Sequence, residues 1–188
     1  MADSAGQNEQ AGILHRLRSG DGDAFAWFVE RYQKQVFLCC RTLGLDADEA
    51  EDIASETFLA AYKGIGGYTG RSKLSTWLWK ITYNKAISHI RQKVRQQNRQ
   101  QGLQRAYTDR QESESSEMSL GQEAEIVWNT VKKLPQDIAM AIVLYYREDK
   151  SVKEISDIMK KRQTTIRVCL FRGREKLKEL LGDKIGGF

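Results

Sequence analysis

One proline stands in 188 residues, with three cysteines and two histidines. The proline, Pro135, sits where it can open a helix, and no stretch alternates convincingly between apolar and polar residues as a strand would. Cys39, Cys40 and Cys169 make no CxxC pair, and only His15 and His89 could join them. A metal site is therefore not expected, and an odd cysteine count in a chain of this size fits a reducing compartment. No apolar run approaches the length of a membrane span, and residues 1–12 are polar without a signal-peptide core. A cytoplasmic protein is the expectation. Chemistry is missing too. There is no glycine-rich phosphate loop, no Ser/His/Asp set, and no acid pair that stands apart from a solvated helix face. Neither an enzyme nor a cofactor is expected.

What is there is charge, unevenly placed. The net charge of +5 is modest, but its distribution is not. From Asp21 to Leu59 acids dominate: Asp21, Asp23, Glu30, Asp46, Asp48, Glu49, Glu51, Asp52 and Glu56 face only Arg31, Lys34 and Arg41. From Arg71 to Arg110 the balance reverses, and Asp109 is the only acid. Adjacent blocks of opposite sign suggest two partners, one of them an anion.

Helical periodicity accounts for most of the chain. Asp21 is placed to cap a helix carrying Phe25, Phe28, Val29, Tyr32 and Val36, which Gly44 ends. Asp46 caps the next, with Ile53, Phe58 and Leu59 apolar and Asp48, Glu51, Asp52 and Glu56 turned outward. After Gly64, Gly66 and Gly67 a loop over 65–74 leads to a long helix capped by Ser75 or Thr76. Residues 96–119 change to Gln, Arg, Ser and Glu, a linker composition whose start can prolong the preceding helix. A second periodic region carries Ile126, Val127, Thr130, Val131 and Leu134, followed after Pro135 by a helix over 136–147 with Ile138, Ile142, Val143 and Tyr146. The length fits one ordinary domain or two small ones, and the change at the linker divides the chain into two, over 13–95 and 120–182, with a disordered start at 1–12 and a tail at 183–188. All-α is the expected class.

Two places look built for nucleic acid. The stretch from Arg71 to Arg95 puts Trp77, Lys80, Asn84, Ser88, Arg91 and Arg95 on one helix face, opposite Leu74, Leu78, Ile81, Ala86 and Ile90. An indole among an amide, a hydroxyl and cations suits stacked bases and a phosphate backbone. On spacing alone, a solvated basic face with one aromatic fits equally. Further on, Ser151-Val-Lys-Glu154 is a capping box that starts a short helix with Ile155, Ile158 and Met159 inward. The turn Lys160-Lys161-Arg162 follows, and a last helix runs from about Gln163 to Leu181 with Ile166, Leu170, Gly173 and Leu177 as its buried row. Two helices joined this way form the helix-turn-helix arrangement, whose second helix enters the major groove. Arg162, Gln163, Thr164, Thr165, Arg167 and Arg172 are then the candidates to reach bases or phosphates. A glycine in the turn, where Lys160 stands, would strengthen the pattern.

Taken together, DAFAWFVERYQKQVF, EAEDIASETFLAAY, STWLWKITYNKAISHIR, LPQDIAMAIVLYY, SVKEISDIM and TTIRVCLFRGREKLKELL resemble the extracytoplasmic-function sigma factors of bacteria, in order and spacing from Asp21 to Leu181. The resemblance implies core RNA polymerase as a partner, through the clamp helices of its largest subunit and the flap of the second-largest. It also implies promoter DNA and an anti-sigma factor. Asp48, Glu51, Asp52 and Glu56 would dock on polymerase. Arg71, Ser72, Lys73, Trp77, Lys80, Asn84, Ser88 and Arg91 would bind the −10 element, capturing a flipped base and the melted strand. The second domain would read the −35 element as duplex, and the linker acids Glu112, Glu114 and Glu117 would imitate nucleic-acid charge near the polymerase active-site channel. The chain departs from the family pattern at Ser55, where a glutamine is usual, and at Ser88, where an aspartate is common. In the last helix, Val168 and Cys169 replace a serine and an arginine. A rival reading is a free-standing helix-turn-helix regulator using 120–182 on an operator and 13–95 for dimerisation or sensing. A purely protein-binding module is disfavoured by the cationic face around Asn84.

Overall fold

The computed structural model describes residues 12–100 and 122–181, and among them there are helices and turns but no strand. The expected disorder of the first residues, the linker and its acids, and the tail lie outside the described residues. A short helix over 12–18, α1, precedes the first expected cap. Leu17 is its buried residue, and Arg16 pairs with Asp21 at 2.7 Å. Asp21 caps α2 (Gly22–Thr42), accepting a hydrogen bond from the amide of Ala24 at 3.0 Å. This fills one of the donors that a helix start leaves open. Gly44 follows with φ +89°, a conformation that glycine adopts without a Cβ clash.

Helix α3 (Ala47–Gly64) starts from a complete capping box, Asp46 with Glu49. Its buried residues, Ala50, Ile53, Thr57, Phe58 and Ala61, recur at helical spacing. Phe28 of α2 meets Phe58 edge to face, with ring centroids 6.1 Å apart. Leu59 does not join them. It sits about 100° round the helix from Phe58 and is 53% exposed, which corrects its assignment to the core. The loop then opens with a 3-10 turn, Ile65–Gly67.

The long helix α4 spans Leu74–Gln100. Its first hydrogen bond runs from the amide of Trp77 to the carbonyl of Lys73 at 3.1 Å. Ser75 and Thr76 therefore lie inside the first turn and do not cap it. Both hydroxyls are engaged elsewhere: Thr76 donates to Glu154 at 2.9 Å, and Ser75 accepts from Lys150 at 3.0 Å. The helix also buries more than its apolar stripe. Leu74 and Leu78 pack with α2 and α3, while Trp79, Tyr83 and Ala86 belong to a different cluster of buried residues.

That second cluster continues into the C-terminal half. Helix α5 (Gln122–Val131) ends in a turn, and Pro135 stands at the start of α6 (Gln136–Ile142). The expected single helix over 136–147 instead changes to a π-helical turn, Val143–Arg147, which leaves Tyr146 exposed. Arg147 lies over the Trp128 ring, 5.3 Å from its centroid. Helix α7 (Val152–Met159) begins with the Ser151–Glu154 capping box and buries Ile155, Ile158 and Met159. Lys160 ends it in the left-handed conformation, φ 53°, where a β-carbon is disfavoured. Helix α8 (Gln163–Leu181) buries Ile166, Leu170 and Gly173 against α6. A β-carbon at Gly173 would lie 2.8 Å from Ile142, so alanine there would overpack by about 1–3 kcal/mol.

The two halves share one core. Cys39, Leu43, Ile53, Trp79 and Tyr83 cluster with Leu134, Met140, Leu144, Ile158 and Ile166. The Cys39 thiol is 3.4 Å from the Met140 sulfur. Gln136 donates to the Leu43 carbonyl at 3.1 Å, and Tyr83 donates to Asp137 at 3.3 Å. Burial first, and then the Asp137 carboxylate, push the Tyr83 hydroxyl up to about 12.

Candidate nucleic-acid and polymerase interfaces

The loop before α4 is fixed from within. The Tyr68 hydroxyl donates to the Ser72 carbonyl, and Arg18 donates to the Tyr68 carbonyl. Gly70 supplies the turn with φ +78°. The buried Tyr68 ring lies 5.2 Å from Trp77. Arg71, Ser72 and Lys73 are left exposed at the tip. Trp77 is half-buried, packed between Tyr68 and the backbone of Gly64. One flank of its indole is thus held by the protein, which leaves less of it for a base than the spacing suggested.

Further along α4, Lys80, Ser88 and Arg91 are exposed and Asn84 is half-buried. Among the described residues, Lys80 and Arg91 enter no ion pair. Asn84, Ser88 and Arg91 line one wall of a cleft of about 550 Å³, whose other wall is Pro135, Gln136, Asp137 and the turn residues Lys160 and Lys161. The expected face therefore exists on one helix, and its middle turns look across at the helix-turn-helix of the other half.

The acidic face of α3 is also as expected. Asp48, Glu51, Asp52 and Glu56 are all exposed, and Glu56 is paired with Lys85 at 2.8 Å. What spacing did not reveal is how the face continues. Asp48, Asp52, Ser55, Leu59 and Tyr62 stand at i, i+4, i+7, i+11 and i+14, and Tyr62 is 49% exposed. An acidic half thus runs into an apolar half on one surface. The signal was available in the row itself, once Leu59 is read with Asp52 and Ser55 and not with Phe58.

Glu49 has a different role from its neighbours. It accepts from Lys93 at 2.6 Å and faces His89 at 3.1 Å, tying α3 to α4. Burial pushes its carboxyl up, but the hydrogen bonds from Lys93 and His89 outweigh that and hold it at about 2.

In the second half, Arg162, Gln163, Thr164, Thr165, Arg167 and Arg172 are all exposed on the turn and first turns of α8. None of these arginines enters an ion pair with a described carboxylate. Lys161 differs, being paired with Asp137 at 2.8 Å. Val168 and Phe171 are exposed as well, at 46% and 59%. Cys169, where the resembled family carries an arginine, is buried and points to the core.

A helix-turn-helix with an unpaired cationic recognition helix, joined to a helical unit with its own basic face, is the plan of a DNA-binding transcription protein. Known proteins narrow that class. The family model of sigma-70 region 2 matches residues 28–96, and that of sigma-70 region 4 matches residues 124–177. The ECF RNA polymerase sigma factor SigW of Bacillus subtilis is 33% identical over 180 residues, covering 90% of this chain and 95% of SigW. The RNA polymerase sigma-H factor of Pseudomonas aeruginosa is 29% identical over 186 residues, covering 93% and 95%. In fold, the chain is similar to the sigma factor RpoE from Bartonella quintana, solved in complex with the anti-sigma factor NepR. The TM-score is 0.66 at 22% identity, over 86% of this chain and 98% of that one. The chain belongs to the ECF sigma factors of RNA polymerase. Among its described residues no helix is long and apolar enough to cross a membrane.

Proposed function

We propose that the chain binds core RNA polymerase through α3 and holds a promoter at two points, without catalysing a reaction itself. Residues 13–95 act as the unit that grips polymerase and the −10 element, and residues 120–182 as the unit that grips the −35 element. The observation that carries this reading is the segregation of surfaces: one acidic-to-apolar row on α3, and cationic rows on α4 and α8. On α3 the charges Asp48, Glu51, Asp52 and Glu56 steer the encounter, while Leu59 and Tyr62 supply apolar area that water leaves on docking. Arg71, Ser72 and Lys73 with Lys80, Asn84, Ser88 and Arg91 hold the melted strand, and the free edge of Trp77 takes a base. Unstacking costs about a few kcal/mol per step, which such contacts can return.

The closed arrangement must open for this work. Two elements about 20 base pairs apart are separated by roughly 70 Å at 3.4 Å per step, far more than two helical units packed on one core can bridge. The stretch between the end of α4 at Gln100 and the start of α5 at Gln122 can reach about 70 Å at full extension. An anti-sigma factor is a further partner: RpoE was solved with one, and a protein that holds the halves together would keep both promoter faces from being used at once.

Run-off transcription with core polymerase tests the reading. Promoter-specific RNA that depends on the purified chain is expected. Absence of transcript, with tight duplex binding by the chain alone, would instead mark a free-standing regulator.

A further inference from the structure

The base-facing side of α8 is not uniformly polar. Thr164, Val168 and Phe171 stand at i, i+4 and i+7 on its outer face, opposite the buried Ile166, Leu170 and Gly173. Arg167 lies about 100° to one side of Val168 and Arg172 about 40° to the other. No acid occurs between Asp157 and Glu175, so the surface around Val168 is cationic. A valine that is 46% exposed, stands outside the buried clusters and is bounded by arginines without an ion pair to a described carboxylate is poorly explained as packing. It is placed where a major groove would lie if this helix docks as its class does.

We propose that Val168 is a specificity residue of the −35 reader and recognises the C5-methyl group of a thymine. This rests on the assignment of α8 to the upstream duplex. The thymine methyl is the one apolar group on the major-groove edge of the four bases, and the valine side chain has neither donor nor acceptor. Against guanine or cytosine the same side chain would cover O6, N7 or the N4 amine without satisfying it, which carries a desolvation penalty. Valine also suits the task because its branched β-carbon restricts it almost to a single rotamer in a helix. Its methyls are therefore positioned before DNA arrives. Arg167 and Arg172 hold the helix on the flanking phosphates or bases, and Val168 sets the letter between them.

The holoenzyme, reconstituted from the full chain and core polymerase, is offered a promoter pool randomised upstream. In the enriched sequence each thymine is then replaced singly by deoxyuridine, which lacks only the methyl group. One position is expected to lose about fourfold in affinity, the worth of one buried methyl. 5-Methylcytosine at that position should restore part of the loss. Val168→Ala should remove the sensitivity at that one position and leave the others unchanged. Because Val168 is exposed, folding of the variant is not at stake, and Val168→Ser provides a second version of the same test. A wild-type response that is flat to deoxyuridine, or a sensitivity that survives in Val168→Ala, overturns the inference while leaving upstream binding intact. Failure of any upstream sequence to be enriched overturns the assignment of α8 itself, and the inference with it.

Discussion

The two surfaces proposed to meet DNA are built differently. On α8 every candidate side chain is exposed, and none of its arginines is paired with a described carboxylate. On α4 the candidates are graded: loop residues exposed, Trp77 held on one flank by Tyr68, and Asn84 half-buried in the cleft that the other half closes. A duplex groove needs only a protruding, positively charged helix with a few well-placed side chains. A melted strand needs a shaped surface whose parts hold still while a base is extracted. The difference implies that domain packing restrains the first reader more than the second.

The largest expected effect separates both readers from the protein-binding face. Leu59→Ala together with Tyr62→Ala should weaken association with core polymerase by about 2 kcal/mol or more, the scale of an interface hot spot. Thermal stability should fall by less, because both side chains are about half exposed and folding loses mainly the edge contact of Tyr62 with Phe25, about 1 kcal/mol. A loss of stability as large as the loss of affinity would return Leu59 to the core.

Next comes a crossed pair. Arg167→Ala should cost about 1–3 kcal/mol in upstream duplex binding if the side chain reads a base, with strand opening on a preformed complex unchanged. Asn84→Ala should do the reverse, slowing open-complex formation about tenfold, roughly 1.4 kcal/mol, with upstream binding and polymerase affinity unchanged. If both variants fail in both assays, the two surfaces are not separate readers.

The smallest effect concerns the tie beneath the α4 face. Glu49 is held at about 2, below its ordinary value of 4.5, chiefly by Lys93 and His89 working against the burial that would raise it. A carboxyl depressed in the folded state contributes stability that is present above 4.5 and lost as pH falls from 4.5 toward 2. Glu49→Gln keeps an acceptor for the capping box but not the charge. The gap in urea midpoint between wild type and variant should therefore narrow as pH falls through that window. A constant gap would mean that the charge of Glu49 does not matter.

How much of this was legible beforehand depended on the distance to the partner. Asp21, Asp46 and Ser151 cap helices within three residues of themselves, and all three were readable as caps. The left-handed position at Lys160 was likewise visible as a place where glycine would fit better. Local pattern failed where the partner is remote. Ser75 and Thr76 look like caps but bond to Lys150 and Glu154, 75 and 78 residues away. Trp79 and Tyr83 gave no core signal because the cluster that buries them is assembled from residues of both halves, many of them remote in sequence. The π-helical turn at Val143–Arg147 had no marker in residue type. The charge blocks indicated where the interfaces would lie. They did not show that α3 continues its acidic row into Leu59 and Tyr62, because apolar residues on a helix are read first as core.

The central claim is that a chain closed on a shared core opens to hold a promoter at two points. It is tested most directly by the distance between fluorophores at Thr69 and Lys178, both exposed, introduced as cysteines against a background of three buried native ones. Free protein should give a single distance fixed by the shared core, and the holoenzyme on promoter DNA one that is longer by tens of ångströms, in keeping with elements roughly 70 Å apart. An unchanged distance in a transcriptionally competent complex would contradict the account.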